Sequence, residues 1–318
     1  MNSGKAGAAP APTSSELSFA GVRPVLHLPI TFRGTIDWDA LRALAARMLE
    51  LGVDGLVVLG LATEVWTMSE SERAQAVALA AEVVAGRVPL VAGLDGDVEA
   101  AAREGEQLAA LGADALMVRP PADVDSPVEH YGALASRLSL PILIQDAPAG
   151  TGVDLGVDDI LELARRHPNL RSVKVERPAG GPRVSALVEA GVEVVAGWAG
   201  LHYLEAVERG ATGLIPGCDL GPAFKAIDRH ARAGDLEAAA RLYDQVLPLL
   251  AYEAQSLELM IAGEKRTLWR QGLFPTPALR DAASIDRFQE ATLERLIAGL
   301  ESEHVPGFDR VETKGTQE

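Results

Sequence analysis

A lysine inside an apolar strand is the side chain of this sequence best suited to covalent chemistry. It lies in the segment Ser-Val-Lys-Val-Glu at residues 172–176. Side chains alternate between the two faces of a strand, so Lys174 shares one face with Ser172 and Glu176. The other apolar segments indicate a sheet buried on both faces, and a desolvated lysine there can attack carbonyl substrates to form a Schiff base. A structural lysine paired with Glu176 or Asp146 is the alternative interpretation.

A repeating pattern surrounds this segment: a short apolar strand, a turn, and then an amphipathic helix rich in alanine and leucine. The predicted strands are 22–28, 55–59, 89–92, 115–118, 141–145, 172–175, 192–196 and 213–215. The predicted helices between them are 37–51, 69–85, 98–111, 126–137, 158–166, 183–190 and 200–208. Strands that alternate with helices at this spacing are typical of βα units with parallel strands.

Eight such units predict an α/β fold of the (β/α)8 TIM-barrel type, with an open doubly wound sheet as the alternative. The segment after the eighth strand reads mostly as helix, and it is longer than one closing helix requires. We therefore predict a C-terminal helical extension. The predicted division is a disordered leader (1–19), the barrel (20–220), C-terminal helices packed on it (221–302) and a flexible tail (303–318).

Composition limits the partners. The chain carries 45 acidic and 29 basic residues, a net charge of −16, which argues against nucleic acid or an anionic membrane as a partner. Apolar residues make up 48% of the sequence, yet no apolar run reaches the length of roughly 18 residues that spans a bilayer. The single cysteine, Cys218, excludes an intramolecular disulfide and fits a reducing compartment. We expect a cytoplasmic protein.

Motifs of other chemistries are missing from the sequence. It contains no HExxH motif and no histidine and cysteine cluster at metal-ligand spacing. Phosphate-binding glycine loops and the Gly-x-Ser-x-Gly elbow of serine hydrolases are also missing. We therefore predict no metal site and no cofactor.

Five segments together resemble a known family. They are 37–64, 69–73 (Ser-Glu-Ser-Glu-Arg), 141–155, 172–176 with the lysine, and 210–215. In this order and spacing the sequence resembles the dihydrodipicolinate synthase/N-acetylneuraminate lyase family of class I aldolases, over about residues 20–300. By that resemblance Lys174 forms an imine with the keto carbon of a 2-oxo acid such as pyruvate. The resemblance also implies a barrel, no cofactor, and a homodimer or homotetramer.

The chain departs from the family pattern at several positions. Where family members usually have Gly-Thr-Thr-Gly-Glu, residues 60–64 read Gly-Leu-Ala-Thr-Glu, so both threonine hydroxyls are missing from their usual places. The family's catalytic tyrosine falls on Gln145, which cannot titrate. The arginine that often follows falls on Gly150, and Trp198 stands where synthases often have an acidic residue. The sequence therefore resembles a divergent branch that lacks the synthase tyrosine.

The predicted catalytic residues are Lys174 and Gln145. Five further residues are predicted to bind the substrate: Ala62, Thr63, Glu176, Trp198 and Ile215. The backbone N–H groups of Ala62 and Thr63 could hold the substrate carboxylate, because a turn that opens a helix presents such donors. A helix N-cap is the alternative role for Thr63. For proton transfer, Glu176 is a better candidate than Asp146, and a bound water is the alternative.

The predicted function is that of a Schiff-base lyase or aldolase acting on a 2-oxo acid. One alternative is a dehydratase or deaminase of a sugar acid or cyclic imino acid that uses the same imine. The other alternative is a non-catalytic protein that binds a small carboxylate.

Overall fold

The computed structural model describes residues 17–281 and 285–308. Within these ranges the chain forms eight strands and twelve α-helices. The strands are β1 (Gly21–Val22), β2 (Leu56–Val58), β3 (Leu90–Leu94), β4 (Ala115–Val118), β5 (Ile142–Asp146), β6 (Leu170–Val175), β7 (Glu193–Ala196) and β8 (Gly213–Leu214). The barrel helices are α1 (Trp38–Glu50), α2 (Glu70–Val84), α3 (Val98–Ala110), α4 (Pro127–Arg137), α5 (Pro148–Thr151), α6 (Val157–Arg166), α7 (Gly181–Glu189) and α8 (Tyr203–Glu208). The helices that follow β8 are α9 (Gly221–Arg232), α10 (Leu236–Glu253), α11 (Leu257–Arg270) and α12 (Arg287–Ser302).

All the strands are parallel, in the order β1-β8-β7-β6-β5-β4-β3-β2. The chain beyond β1 closes the ring: the N–H of Val57 donates to the Pro24 carbonyl (3.0 Å), and the N–H of Leu26 donates to the Val57 carbonyl (2.8 Å). The predicted TIM barrel with C-terminal helices is confirmed. Seven of the predicted strands end within two residues of the observed ones. The exception is the first, where only Gly21–Val22 is regular strand, followed by an isolated bridge at Val25.

The strand residues divide into two cores, because neighbouring side chains point to opposite faces. The interior of the barrel holds one cluster, which includes Val57, Met117, Leu143 and Val195. Alternate strand residues such as Leu56 belong to the larger cluster between the barrel and its helices. This packing fixes the strand register, so a polar side chain at an inward position faces the barrel axis.

The helices begin at capping residues that the sequence supplies. At the start of α2 the Ser69 hydroxyl accepts the Glu72 N–H, and the Glu72 carboxylate accepts the Ser69 N–H. This reciprocal capping box satisfies two backbone donors that the helix leaves unpaired. The acidic run at residues 70–73 thus has a structural role, as its position at the positive end of a helix predicts.

The packed region extends slightly beyond the predicted limits at both ends. Phe19, placed in the predicted leader, is 1% exposed, and residues 1–16 of that leader lie outside the described residues. Val305 and Phe308 are also buried although the predicted tail starts at 303, and its remainder from 309 lies outside the described residues. Both ends therefore contribute apolar side chains to the core. No helix in the described part of the chain has the length and hydropathy to cross a bilayer.

Candidate active site

Lys174 lies near the carboxyl end of β6, between Gln145 on β5 and Val195 on β7. Its side chain is 6% exposed. The Nζ atom lies 2.9 Å from Oε1 of Glu176. The structure therefore places a buried amine beside a carboxylate at the end of the barrel where catalytic groups of this fold lie.

Glu176 connects three of the predicted site residues. Its Oε2 accepts a hydrogen bond from Nε2 of Gln145 (2.7 Å), and its Oε1 accepts the Trp198 N–H (3.3 Å). Burial raises the pKa of Glu176, but the charge of Lys174 and these hydrogen bonds outweigh it and hold the pKa below its ordinary value. Glu176 is therefore an ionised carboxylate that forms an ion pair with Lys174.

The outward face of the same strand ends is occupied by a separate ion cluster. Asp146 lies 2.9 Å from Nη2 of Arg177 and 2.5 Å from Nε of Arg183. Neighbouring side chains of a strand point to opposite faces, which predicts that Asp146 and Gln145 lie on different sides of β5. The partner of Lys174 is Glu176, not Asp146.

Both hydrogen-bond donors of Thr63, the hydroxyl and the backbone N–H, are engaged within the protein. The Thr63 hydroxyl is fully buried and donates to the Leu26 carbonyl (2.7 Å). Its backbone N–H donates to the Gly60 carbonyl (3.1 Å). Thr63 is not a helix N-cap either, since it lies within a short 3₁₀ turn. Neither donor of Thr63 is therefore available to a substrate carboxylate, and the hydroxyl ties the loop after β2 to Leu26 in the segment that follows β1.

Ala62, Ile215 and Trp198 lie around the same end of the barrel. Ala62 and Ile215 belong to the interior cluster, at 6% and 2% exposure. Trp198 begins a turn after β7 in which it and Ala199 both have positive φ, 54° and 52°. This left-handed backbone is costly for residues other than glycine, and it directs the Trp198 N–H towards Glu176.

An arginine that the sequence analysis did not select lies over the mouth of the barrel. Arg119 follows β4 and forms an ion pair with Asp95 after β3. It lines a cavity of about 330 Å³ together with Leu61 and Gly150. It also lines the deeper pocket that Gln145 reaches. Arg119 therefore lines both the outer mouth, where Gly150 takes the place of the family arginine, and the pocket that Gln145 reaches.

A buried cluster of one histidine and two carboxyl side chains lies near this site, and the sequence does not predict it. His27 follows β1, Asp219 follows β8 and Glu264 lies on α11, with Nε2 of His27 2.8 Å from Oε2 of Glu264. Burial lowers the pKa of His27 to about 4 and raises the pKa of Glu264 to about 8. The charges of Lys174 and Glu176 also act on the pKa of Glu264, which places the group within electrostatic reach of the lysine. The three residues lie far apart in the sequence and form no motif.

The model of the Dihydrodipicolinate synthetase family matches residues 18–297 of this chain. The chain belongs to this family. It is 35% identical over 237 residues to a 4-hydroxy-tetrahydrodipicolinate synthase of Xanthomonas axonopodis pv. citri, covering 70% of this chain and 76% of that protein. It is 26% identical over 272 residues to an L-2-keto-3-deoxyarabonate dehydratase of Azospirillum brasilense, covering 82% and 87%.

A solved structure extends the likeness to the fold. A prophage protein of the dihydrodipicolinic acid synthase family from E. coli K12, in complex with pyruvate, superposes with a TM-score of 0.80 at 21% identity, covering 90% of this chain and 99% of that chain. The recognised resemblance, the barrel and the assignment as an enzyme of the lyase class are thus confirmed. The present chain, as a member of the dihydrodipicolinate synthetase family, carries Gln145 beside Lys174 and Glu176.

The glycine after β7 makes room for the ion pair, and its replacement is a selective test of the site. A Cβ atom at Gly197 would lie 2.1 Å from Cγ of Glu176 and 3.0 Å from Cε of Lys174. We expect Gly197→Ala to displace both side chains and to lower kcat by at least about 100-fold, because small misplacements of catalytic groups cost that much.

Gly150→Ala is the matched control. A Cβ atom at Gly150 meets nothing within 4 Å, although Gly150 lines the same mouth. Steady-state kinetics and circular dichroism of the two variants separate a displaced ion pair from general misfolding. Equal activity of Gly197→Ala and wild type would contradict the positions assigned to these side chains.

Proposed function

We propose that the enzyme acts on a 2-oxo acid such as pyruvate through an imine formed by Lys174. The observation that carries this proposal is the burial of Lys174 near the carboxyl end of β6, the end of the barrel where catalytic groups of this fold lie. A lysine removed from water is the nucleophile of Schiff-base chemistry on carbonyl substrates. The pyruvate complex of the E. coli K12 family member supports the same substrate class.

Imine formation requires proton transfers that Glu176 is placed to perform. The amine must lose a proton before Nζ attacks the keto carbon, and Glu176 Oε1 is 2.9 Å away. The resulting carbinolamine loses its hydroxyl as water when a proton is returned to that oxygen, which leaves a protonated imine. This imine accepts the electron pair released when a bond at the adjacent carbon breaks.

Gln145 has a fixed role in this scheme because an amide cannot exchange protons in the physiological range. Its Nε2–H donates to Glu176 Oε2, so Gln145 orients the carboxylate that carries the proton. We therefore assign Gln145 as a positioning residue, and Glu176 as the group that takes the place of the family tyrosine.

Loss of water is the second candidate reaction. The dehydratase of Azospirillum brasilense aligns with most of this chain. Elimination of a hydroxyl from a sugar acid uses the same imine as electron sink but breaks a carbon–oxygen bond instead of a carbon–carbon bond. The products distinguish the candidates: an aldehyde for aldol cleavage, a dehydrated oxo acid with water for a dehydratase, and ammonia for a deaminase.

Arg119 is proposed to bind the distal polar end of the substrate. Arg119 lines both the mouth and the pocket that Gln145 reaches, and a planar guanidinium with several donors suits carboxylates and hydroxyls. We expect Arg119→Gln to raise KM for the productive substrate by about 10-fold or more, the effect of losing one charged hydrogen bond.

Two comparisons check the role of Arg119. Pyruvate itself is too short to reach beyond the pocket, so its reaction with Lys174 should be little changed by Arg119→Gln. Arg137→Gln removes an exposed arginine paired with Glu99 and should leave KM unchanged. Equal KM values for wild type and Arg119→Gln would exclude Arg119 from substrate binding.

Hydrogen exchange at the pyruvate methyl group tests the proposed function without knowledge of the second substrate. The imine of pyruvate equilibrates with its enamine, which exchanges the methyl protons with solvent. In D2O we expect the enzyme to remove the methyl signal from the proton NMR spectrum, and Lys174→Met to leave it at the uncatalysed rate. Exchange that persists in Lys174→Met would exclude the lysine as the imine-forming group.

We also propose a cell location and an assembly. The single cysteine fits the cytoplasm, and the family resemblance implies a homodimer or homotetramer. Light scattering after size-exclusion chromatography measures the molecular mass that decides between these assemblies.

A further inference from the structure

We propose that His27, Asp219 and Glu264 bind a divalent metal ion beside the lysine pocket. One nitrogen or oxygen atom of each side chain lies within 4.8 Å of the others. All three residues are buried, with at most 2% exposure. They come from three separate parts of the chain. His27 lies in the segment after β1, Asp219 in the loop after β8, and Glu264 on α11. A metal ion would therefore join the C-terminal helices to the segments that follow the first and last strands of the barrel, which pair with each other.

Unpartnered oxygens point to a ligand at this position. Oδ2 of Asp219 has no hydrogen-bond partner among the described residues. Both carboxylate oxygens of Glu253, on α10, are also buried without a partner in the described part of the chain. The charges of Asp219 and Glu264 act on Glu253, which places its carboxyl within electrostatic reach of the same group. Buried polar atoms are nearly always satisfied, and a cation satisfies several carboxylates at once.

The buried lysines of the neighbourhood do not fill this role. Lys265 follows Glu264 on α11, but its Nζ bonds to Glu64. Lys174 is paired with Glu176. Among the described side chains, no lysine or arginine pairs with the carboxyl groups of Asp219 and Glu264, and the ring nitrogen beside Glu264 is that of His27.

Gly217 leaves space where the two carboxylates converge. A Cβ atom at this glycine would lie 2.5 Å from Oδ1 of Asp219 and 2.7 Å from Oε1 of Glu264. Both oxygens therefore approach one point over a residue without a side chain. Carboxylate oxygens that converge on open space, next to an imidazole nitrogen, form a mixed oxygen and nitrogen donor set.

This donor set favours a transition-metal ion. Zn²⁺ binds histidine nitrogen and carboxylate oxygen at about 2.0–2.2 Å, and contraction of the group around an ion would replace the 2.8 Å contact between His27 and Glu264. Mg²⁺ prefers oxygen ligands and retains water, so it fits an imidazole-containing site less well. Zn²⁺ and Mn²⁺ are therefore the probes.

The test is calorimetric titration of the chelator-treated full chain with ZnCl2 and with MnCl2. We expect about one ion per chain for at least one metal, and an affinity lowered by about 10-fold or more in His27→Gln. His230→Gln is the matched control, because His230 lies at a half-exposed position 3.6 Å from Asp235. Binding of neither ion, or equal binding by wild type and His27→Gln, would overturn the proposal.

Thermal unfolding provides a second measurement that does not depend on His27. In metal-free protein Asp219→Asn should keep or raise the Tm, since it removes a buried charge from an uncompensated group. The bound metal should raise the Tm of wild type by mass action and should not raise that of Asp219→Asn. An equal rise in both proteins would place the ion elsewhere and overturn the assignment.

Discussion

Replacement of Lys174 by methionine is expected to lower kcat by about 10³-fold or more while the barrel stays folded. Loss of a covalent nucleophile removes the reaction path itself, and such losses are among the largest single-residue effects on enzymes. Methionine nearly preserves the length and apolar stem of the lysine. The variant leaves Glu176 with the donors of Gln145 and Trp198, so the pocket keeps most of its hydrogen bonds.

The control for Lys174→Met is Lys225→Met. Lys225 also forms an ion pair with a carboxylate, Asp54, but on the outside of the barrel. Steady-state kinetics with the productive 2-oxo acid should show wild-type kcat for Lys225→Met. A Lys174→Met enzyme that retains a substantial part of the wild-type kcat would contradict covalent catalysis at this position.

Replacement of Lys265 by methionine is expected to lower the free energy of unfolding by about 3–5 kcal/mol. Lys265 is fully buried on α11 and bonds to Oε2 of Glu64, which is itself 1% exposed. Removal of one partner leaves the other charge buried and uncompensated. Among the described residues, Glu64 would keep the Arg280 N–H on Oε1 (2.7 Å) as its hydrogen-bond donor. The pair joins the loop after β2 to the C-terminal helices, so its loss also weakens the mouth of the site.

Urea unfolding followed by circular dichroism measures this effect. The matched control is Arg42→Met, which removes an exposed ion pair with Glu82 and should not change the midpoint measurably. A midpoint for Lys265→Met equal to that of wild type would show that the buried pair adds nothing to stability.

The barrel and the centre of its site could be predicted from local sequence. Strand parity places Lys174 and Glu176 on one face, and adjacent β5 brings Gln145 beside them. The same parity separates Asp146, which pairs with arginines on the outer face. These predictions depend on the regular geometry of neighbouring strands, and the structure follows it.

Contacts between segments that lie far apart in the sequence cannot be predicted from strand periodicity. His27, Asp219 and Glu264 meet only because the barrel closes and α11 packs across the closure. Arg119 acquires its place over the mouth from the course of the loop after β4. The hydroxyl of Thr63 turns to the Leu26 carbonyl because the loop after β2 forms a 3₁₀ turn, which strand periodicity does not predict.

The central claim is that Lys174 forms an imine with a 2-oxo acid, and trapping with borohydride tests it most directly. The enzyme is incubated with pyruvate and with larger 2-oxo acids, reduced, and examined by intact-mass and peptide mass spectrometry, with Lys174→Ala as the control. We expect a reduced adduct mapped to Lys174, strongest for the oxo acid closest to the substrate, and none in Lys174→Ala. An unmodified Lys174 across the panel, or an adduct on another lysine, would contradict the account.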